Sequence, residues 1–111
     1  MKDYSGKSVF ANYYRSIEGV SGKVFFDDEG LTFKSHVMNI QKETTRIEYA
    51  EIDHIELGPL STSILIFTKD GKKHHFIMYH RKKIIEYLNS KCKQCNLYEW
   101  GDIDKEYLLS L

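Results

Sequence analysis

Apolar residues in this chain alternate with polar ones in short runs as far as Met78, and from Arg81 onward they recur at helical spacing. Nothing else in the sequence restricts the fold as much. Side chains alternate across a strand, whereas on a helix they return to one face every three or four residues. The alternating runs are numerous. Gly22–Asp27 sets Val24 and Phe26 against Lys23 and Phe25, and Gly30–Ser35 sets Leu31 and Phe33 against Thr32 and Lys34. Thr44–Tyr49 sets Thr45, Ile47 and Tyr49 against Arg46 and Glu48, and Asp53–Leu57 aligns Ile55 with Leu57. Phe10–Glu18 is rich in aromatic residues, and "EGVSG" reads as an interruption after it.

Ser63–Thr68 is apolar on both faces, as a central or doubly covered strand must be. Lys73–Met78 returns along it through Lys69-Asp70-Gly71-Lys72, because Asp-Gly favours positive φ at hairpin positions. Gly58-Pro59 ends the preceding run, since proline has no ladder donor. About seven closely spaced strands predict a meander that closes into a barrel or sandwich. The helical stripe is Ile84, Ile85, Leu88, Cys92 and Cys95, which predicts an amphipathic helix from about Tyr79 to Cys92. Gly101 weakens any continuation, and Asp102 can cap a final short helix.

A chain of 111 residues that is 41% hydrophobic and 14% aromatic can bury one modest core and is not disordered. The expected division is a domain over residues 1–95 and a tail over 96–111, packed on the domain or on a partner. The formal net charge is zero, so no global field selects nucleic acid or membrane. The charge is segregated, however. Lys69–Lys93 holds eight basic residues and two acidic ones, while Glu43–Thr68 holds five acidic and one basic, and Gln94–Leu111 four acidic and one basic. This pattern predicts one basic and one acidic end. "MKDYSGKSVF" lacks the apolar stretch of a signal peptide, and two cysteines in that context suggest free thiols in a reducing compartment. The expected location is cytoplasmic, with peripheral contact at the inner membrane face allowed.

The order of seven short strands followed by one helix resembles the pleckstrin-homology-like superfamily, in which the helix plugs one end of a barrel. "EGVSGKVFFDDEGLTFKS", "RIEYAEIDHIEL" and "ILIFTKDGKKHHFIM" are similar to segments of its GRAM-like branch, as in bacterial GRAM-like domains. The likeness covers about Phe10 to Lys93. It implies an α+β, mainly β, barrel capped by a C-terminal helix, and a non-enzymatic scaffold that binds lipid headgroups, peptides or protein domains. Phosphoinositide-binding members use a basic motif on the first hairpin. Here Lys7, Arg15 and Lys23 share that region with the acidic turn Asp27, Asp28 and Glu29, which would repel phosphate, so no inositol-phosphate site is carried over.

Residues that could carry chemistry have simpler readings. Cys92 and Cys95 form a CxxC at a helix C-terminus, where the dipole disfavours thiolate, and they continue the apolar stripe, so core packing is expected rather than redox chemistry. Zinc would need His36, His54, His74, His75 or His80 as further ligands, yet His74 and His75 are adjacent on a strand and point apart. The same divergence argues against Asp53-His54 as an acid–base pair. The chain lacks a P-loop, G-x-S-x-G, H-E-x-x-H or dinucleotide fingerprint, so neither an enzyme nor a cofactor is expected. No strand interleaves aromatic with basic residues in the manner of an RNA reader, so nucleic acid is not an expected partner.

The expected function is a non-enzymatic binding or interaction module for a protein or an anionic lipid headgroup. Its candidate ligand residues are Lys72, Lys73, Arg81 and Lys82. The alternative is a self-associating structural component, a homo-oligomer assembled through the apolar tail that carries Leu97, Tyr98, Trp100, Ile103, Tyr107, Leu108, Leu109 and Leu111.

Overall fold

The computed structural model describes residues 2–15, 18–36, 44–58, 60–92 and 96–98, with the backbone alone at 15, 18 and 96–98. Its strands are β1 (Ser8–Arg15), β2 (Glu18–Phe26), β3 (Gly30–Ser35), β4 (Thr44–Glu48), β5 (Ile52–Leu57), β6 (Ser63–Thr68), β7 (Lys73–Met78) and β8 (Asn96–Tyr98). A 3-10 turn, Tyr49–Glu51, joins β4 to β5, and helix α1 spans Arg81–Lys91. The strands form one sheet in the order β4-β3-β2-β1-β7-β6-β5-β8. β1 to β7 pair antiparallel, and β8 lies parallel to β5.

The inward residues of both halves of the sheet meet in one core. Val24, Phe26, Leu31 and Phe33 from β2 and β3 share it with Ile55, Ile64, Ile66 and Phe76 from β5, β6 and β7. A single sheet can bring both halves onto one core only by curling, so the architecture is a half-barrel. The expected closure into a barrel or sandwich is not made: among the described residues β4 and β8 stand at the two edges. The alternation in "KVFFDDEGLTFKS" sorts faces as expected, with Val24, Leu31 and Phe33 fully buried and Phe25 and Lys34 exposed. Ser63–Thr68 is buried on both faces except at Phe67.

Two expectations need correction. "EGVSG" does not interrupt a strand; β2 runs through it, with Val20 inward. Gly22 makes this possible, because a Cβ there would run into the Lys34 carbonyl oxygen and the Ser35 backbone. The glycine is therefore a device for close strand approach, not a break. Cys92 is buried as expected, but it is disulfide-bonded; Cys95 lies outside the described residues. Spacing along a chain does not report redox state, which depends on geometry and compartment, so the thiol argument for a reducing compartment falls.

Helix α1 starts two residues later than expected. His80 adopts a left-handed conformation (φ 60°) that turns the chain out of β7, and Tyr79 is left exposed. Ile84, Ile85, Tyr87 and Leu88 are buried in the core, while Lys82, Lys83, Glu86 and Asn89 are exposed. Lys91 at the helix end lies 3.7 Å from Asp28, a favourable place for a cation. Among the described residues no helix is long and apolar enough to cross a membrane. The short helix that Asp102 was expected to cap lies outside the described residues.

Candidate functional site

Along three neighbouring strands the inward series ends in polar groups. Ala11 gives way to Tyr13 on β1, Ile66 to Thr68 on β6, and Phe76 to His74 on β7, and all six are buried. Tyr13 packs its ring against Phe33 and Phe76, with centroids 5.4 and 5.0 Å away, and its hydroxyl lies 2.9 Å from His74 Nδ1. Burial holds the His74 imidazole below its ordinary pKa, so it is neutral at pH 7.

Beside this pair, the β6–β7 turn is organised by its own side chains. The Thr68 hydroxyl donates to Asp70, which also accepts the Lys72 backbone N–H at 3.1 Å, and these bonds hold the Asp70 carboxyl below its usual range. Gly71 (φ 84°) supplies the positive φ that the turn needs, and Lys69 N–H donates to the Glu51 carbonyl at 2.8 Å, tying the turn to the 3-10 segment. Between this hairpin and β4 lies a polar cleft of about 480 Å³, with Tyr13 and His74 at its floor. Its charged lining is balanced: Arg46 and Lys72 against Glu51 and Asp70.

The acidic β2–β3 turn is consumed by structure. Asp27 accepts the backbone N–H groups of Glu29 (2.8 Å) and Gly30 (2.9 Å), and the Arg46 guanidinium grips both its carboxylate oxygens. Arg46, foremost, and these amides hold the Asp27 carboxyl far below the usual range. On the other side of the same turn, Tyr49 Oη donates to the Asp27 carbonyl at 2.9 Å. Tyr87 Oη lies 3.0 Å from Ser5 Oγ, and its ring packs edge-on against Tyr4, Phe26 and Tyr49.

The four residues predicted from the basic segment are not gathered. Lys72 lines the cleft and pairs with Asp70 at 3.9 Å; Lys73 is exposed at the start of β7, 5.9 Å from the Phe67 ring. Arg81 and Lys82 lie beyond the other end of that strand, roughly 20 Å away at the usual strand rise. The Arg81 guanidinium donates to the carbonyls of Leu60 (2.8 Å), Ser63 (3.2 Å) and Gly58 (3.4 Å), so it clamps the β5–β6 loop. Lys82 is exposed. The hairpin thus interleaves the charges that chain order had segregated.

Asp53 and His54 do meet, against expectation: His54 Nδ1 is 2.7 Å from Asp53 Oδ2, and the imidazole stacks on Phe67 with centroids 4.2 Å apart. A bulge in the β5–β6 register between Ile52 and His54 breaks the strict alternation that would have kept them apart. Among the described residues, no three His, Cys, Asp or Glu groups cluster closely enough to hold a metal ion. The residue that sequence reasoning missed is Tyr13. The available signal was a polar or amphipathic group at the end of each inward series.

No family model matches the chain, and no curated protein does. Solved structures do. The C-terminal domain of an unknown protein from Leishmania infantum is similar, with a TM-score of 0.66 and 19% identity over 77% of this chain and 80% of that one. The Spt16D–Pob3N heterodimer structure is similar with a TM-score of 0.63 and 16% identity over 84% of this chain. The match covers 52% of that chain. The fold is pleckstrin-homology-like. In this pleckstrin-homology-like half-barrel, one part of the interior is covered by α1 and the Tyr87 cluster, and another opens at the Tyr13–His74 cleft.

Proposed function

We propose that the chain is a non-enzymatic binding module of the GRAM-like branch, and that its ligand seats in the Tyr13–His74 cleft. The observation that carries this reading is a concave polar site, floored by a buried hydrogen-bonded pair and open to solvent at one end of the core. A cleft lined by hydroxyl, carboxylate, amine and imidazole groups can donate to and accept from a polar ligand on several sides at once. The β2–β3 and β6–β7 hairpins that resemble the GRAM-like branch, and a helix read as amphipathic from its buried Ile84, Ile85 and Leu88, support the same assignment.

The balanced lining favours a polar protein segment over a strongly anionic headgroup. Arg46 is committed to Asp27 and Glu48, and Lys72 stands beside Asp70. Lys72 is the one of the four predicted ligand residues that this reading retains. The test is an amide chemical-shift titration with short peptides and with inositol phosphates. Shifts at Thr45, Lys72 and His74 with peptides support the reading. Shifts confined to other surfaces, or none, refute it. The cytoplasm, with the inner membrane face, is the proposed location. Fractionation of intact cells tests it: recovery of the full chain with the soluble cytoplasmic or inner-membrane fraction supports the location, and recovery outside the cell refutes it.

Self-association is the second reading, favoured by one observation: among the described residues β8 is the outermost strand beyond β5, an edge that a second chain could pair with. Light scattering on the full chain and on a chain ended after Tyr98 decides it, since an oligomer lost with the tail supports assembly.

A further inference from the structure

The outward face of β1, β2 and β3 carries a grid of rings and amines that no stretch of the sequence displays. Strand register sets Phe10 opposite Lys23, and Lys23 opposite Lys34; the next row sets Ser8 opposite Phe25, and Phe25 opposite Thr32. Phe10 is 62% exposed and Phe25 42%, unusual for phenylalanine at the surface. Each ring has an amine beside it: Lys23 Nζ lies 4.9 Å from the Phe10 centroid and Lys34 Nζ 5.8 Å from that of Phe25. None of these six outward residues is acidic. Two lysines directly opposite each other on adjacent strands repel, and no carboxylate among these six residues offsets them.

The surface continues past Phe10. A cleft of about 350 Å³ is lined by Phe10, Tyr79, Lys2, Lys7 and the edge of Tyr4. The Tyr79 ring is 69% exposed, and the Tyr4 hydroxyl is buried with no hydrogen-bond partner among the described residues. Asp3 is the nearby carboxylate, and it is tied first to the Ser5 backbone N–H.

We propose that this face binds single-stranded nucleic acid, with bases stacked on Phe10 and Phe25 and the backbone phosphates paired with Lys23 and Lys34. Phe10 and Phe25 are diagonal neighbours on paired strands, about 7–8 Å apart. Successive unstacked bases of an extended strand can span that distance. Every base presents a face that can stack, and each phosphate between them meets a lysine, the combination used by sequence-tolerant single-strand binders. Charge complementarity selects an anion, and the paired exposed rings select one that carries flat groups at regular intervals. The expectation against nucleic acid rested on the absence of interleaving along any one strand; here the interleaving is made across strands by register.

The test is fluorescence anisotropy of the full chain with a labelled oligothymidylate of roughly 10 nucleotides at low salt. Binding should weaken log-linearly with salt, and Lys23→Gln with Lys34→Gln should reduce the slope by about 1.4, at about 0.7 per lost phosphate contact. Phe10→Leu with Phe25→Leu should weaken binding at least about tenfold while leaving the melting temperature near its original value. A duplex of equal length, whose bases cannot reach the rings, should bind more weakly. The proposal is overturned by absence of binding at low salt, by leucine variants of unchanged affinity, by an unchanged salt slope, or by equal affinity for the duplex. Binding to phosphatidylserine vesicles without binding to the oligonucleotide also overturns it and reassigns the face to membrane.

Discussion

Two tyrosine-centred regions line the same half-barrel and do opposite things. On the inner face of α1, Tyr87 is almost wholly buried, its ring packed by three other aromatic rings and its hydroxyl held by Ser5. At the cleft, Tyr13 is as well packed by Phe33 and Phe76, but its hydroxyl and His74 form the floor of an open space. The residue type is the same. The difference is cover: Tyr87 is pressed into the core by the helix that carries it, whereas Tyr13 faces a polar gap. A covered hydroxyl stabilises one packing arrangement, whereas a pair at the floor of an opening is available to a ligand.

The comparison can be broken most severely at Tyr87. Tyr87→Ala should cost about 3–5 kcal/mol in a urea titration, as for other buried aromatics, with the midpoint moving and the slope retained. A loss below about 1 kcal/mol would mean that the helix is not a structural cover. Next is the clamp that seats the helix start. Arg81→Ala should lose about 1–2 kcal/mol, because three loop carbonyls lose a charged donor, while Lys82→Ala should stay within about 0.5 kcal/mol. Equal effects would return Arg81 to the status of a solvated surface charge.

Asp27→Asn probes the turn shared by both regions. At pH 7 it should cost about 1–2 kcal/mol through weaker bonds to Arg46 and the turn amides. The native carboxyl titrates far below its unfolded value, so its contribution is complete above about pH 4 and is lost as the pH falls through the folded value. The variant should therefore show a shallower acid limb, and an unaltered limb in parallel melts contradicts the assignment.

The smallest effect belongs to the cleft. Tyr13→Phe should cost about 0.5–1.5 kcal/mol. His74 titrates below its unfolded value because burial disfavours the cation, so native stability should decline as the pH falls below about 6.5 and level off once the folded pKa is passed. His75 is held low by burial in the same way, so His74→Gln should reduce the slope in that window without abolishing it, and leave the acid limb of Asp27 in place. Stability curves from pH 8 to 5 on both proteins check this, and identical slopes count against a buried neutral imidazole.

Much of the fold was legible in the sequence because alternation is a local property. The faces of β2, β3, β6 and β7 follow from their own residues, and the Asp70-Gly71 turn carries its conformation in the glycine. The candidate site was far less legible. Lys72, Lys73, Arg81 and Lys82 are near in the chain, but β7 separates the two pairs. Tyr13 and His74 lie 61 positions apart and meet only because β1 and β7 are neighbours. The Asp53–His54 contact depended on a bulge, which is an irregularity in pairing between strands and leaves no mark on the period of one.

By itself the sequence determined the inward faces of β2, β3, β6 and β7 and the helix that follows them, because periodicity acts over a few residues. Tertiary structure alone decided that the sheet stays open between β4 and β8, that Cys92 is oxidised, that a polar cleft opens where three inward series end, and that Phe10, Phe25, Lys23 and Lys34 form one surface. These features depend on which strands become neighbours and in what register. That choice is made by burying one common core, a sum over the whole chain that no single segment encodes.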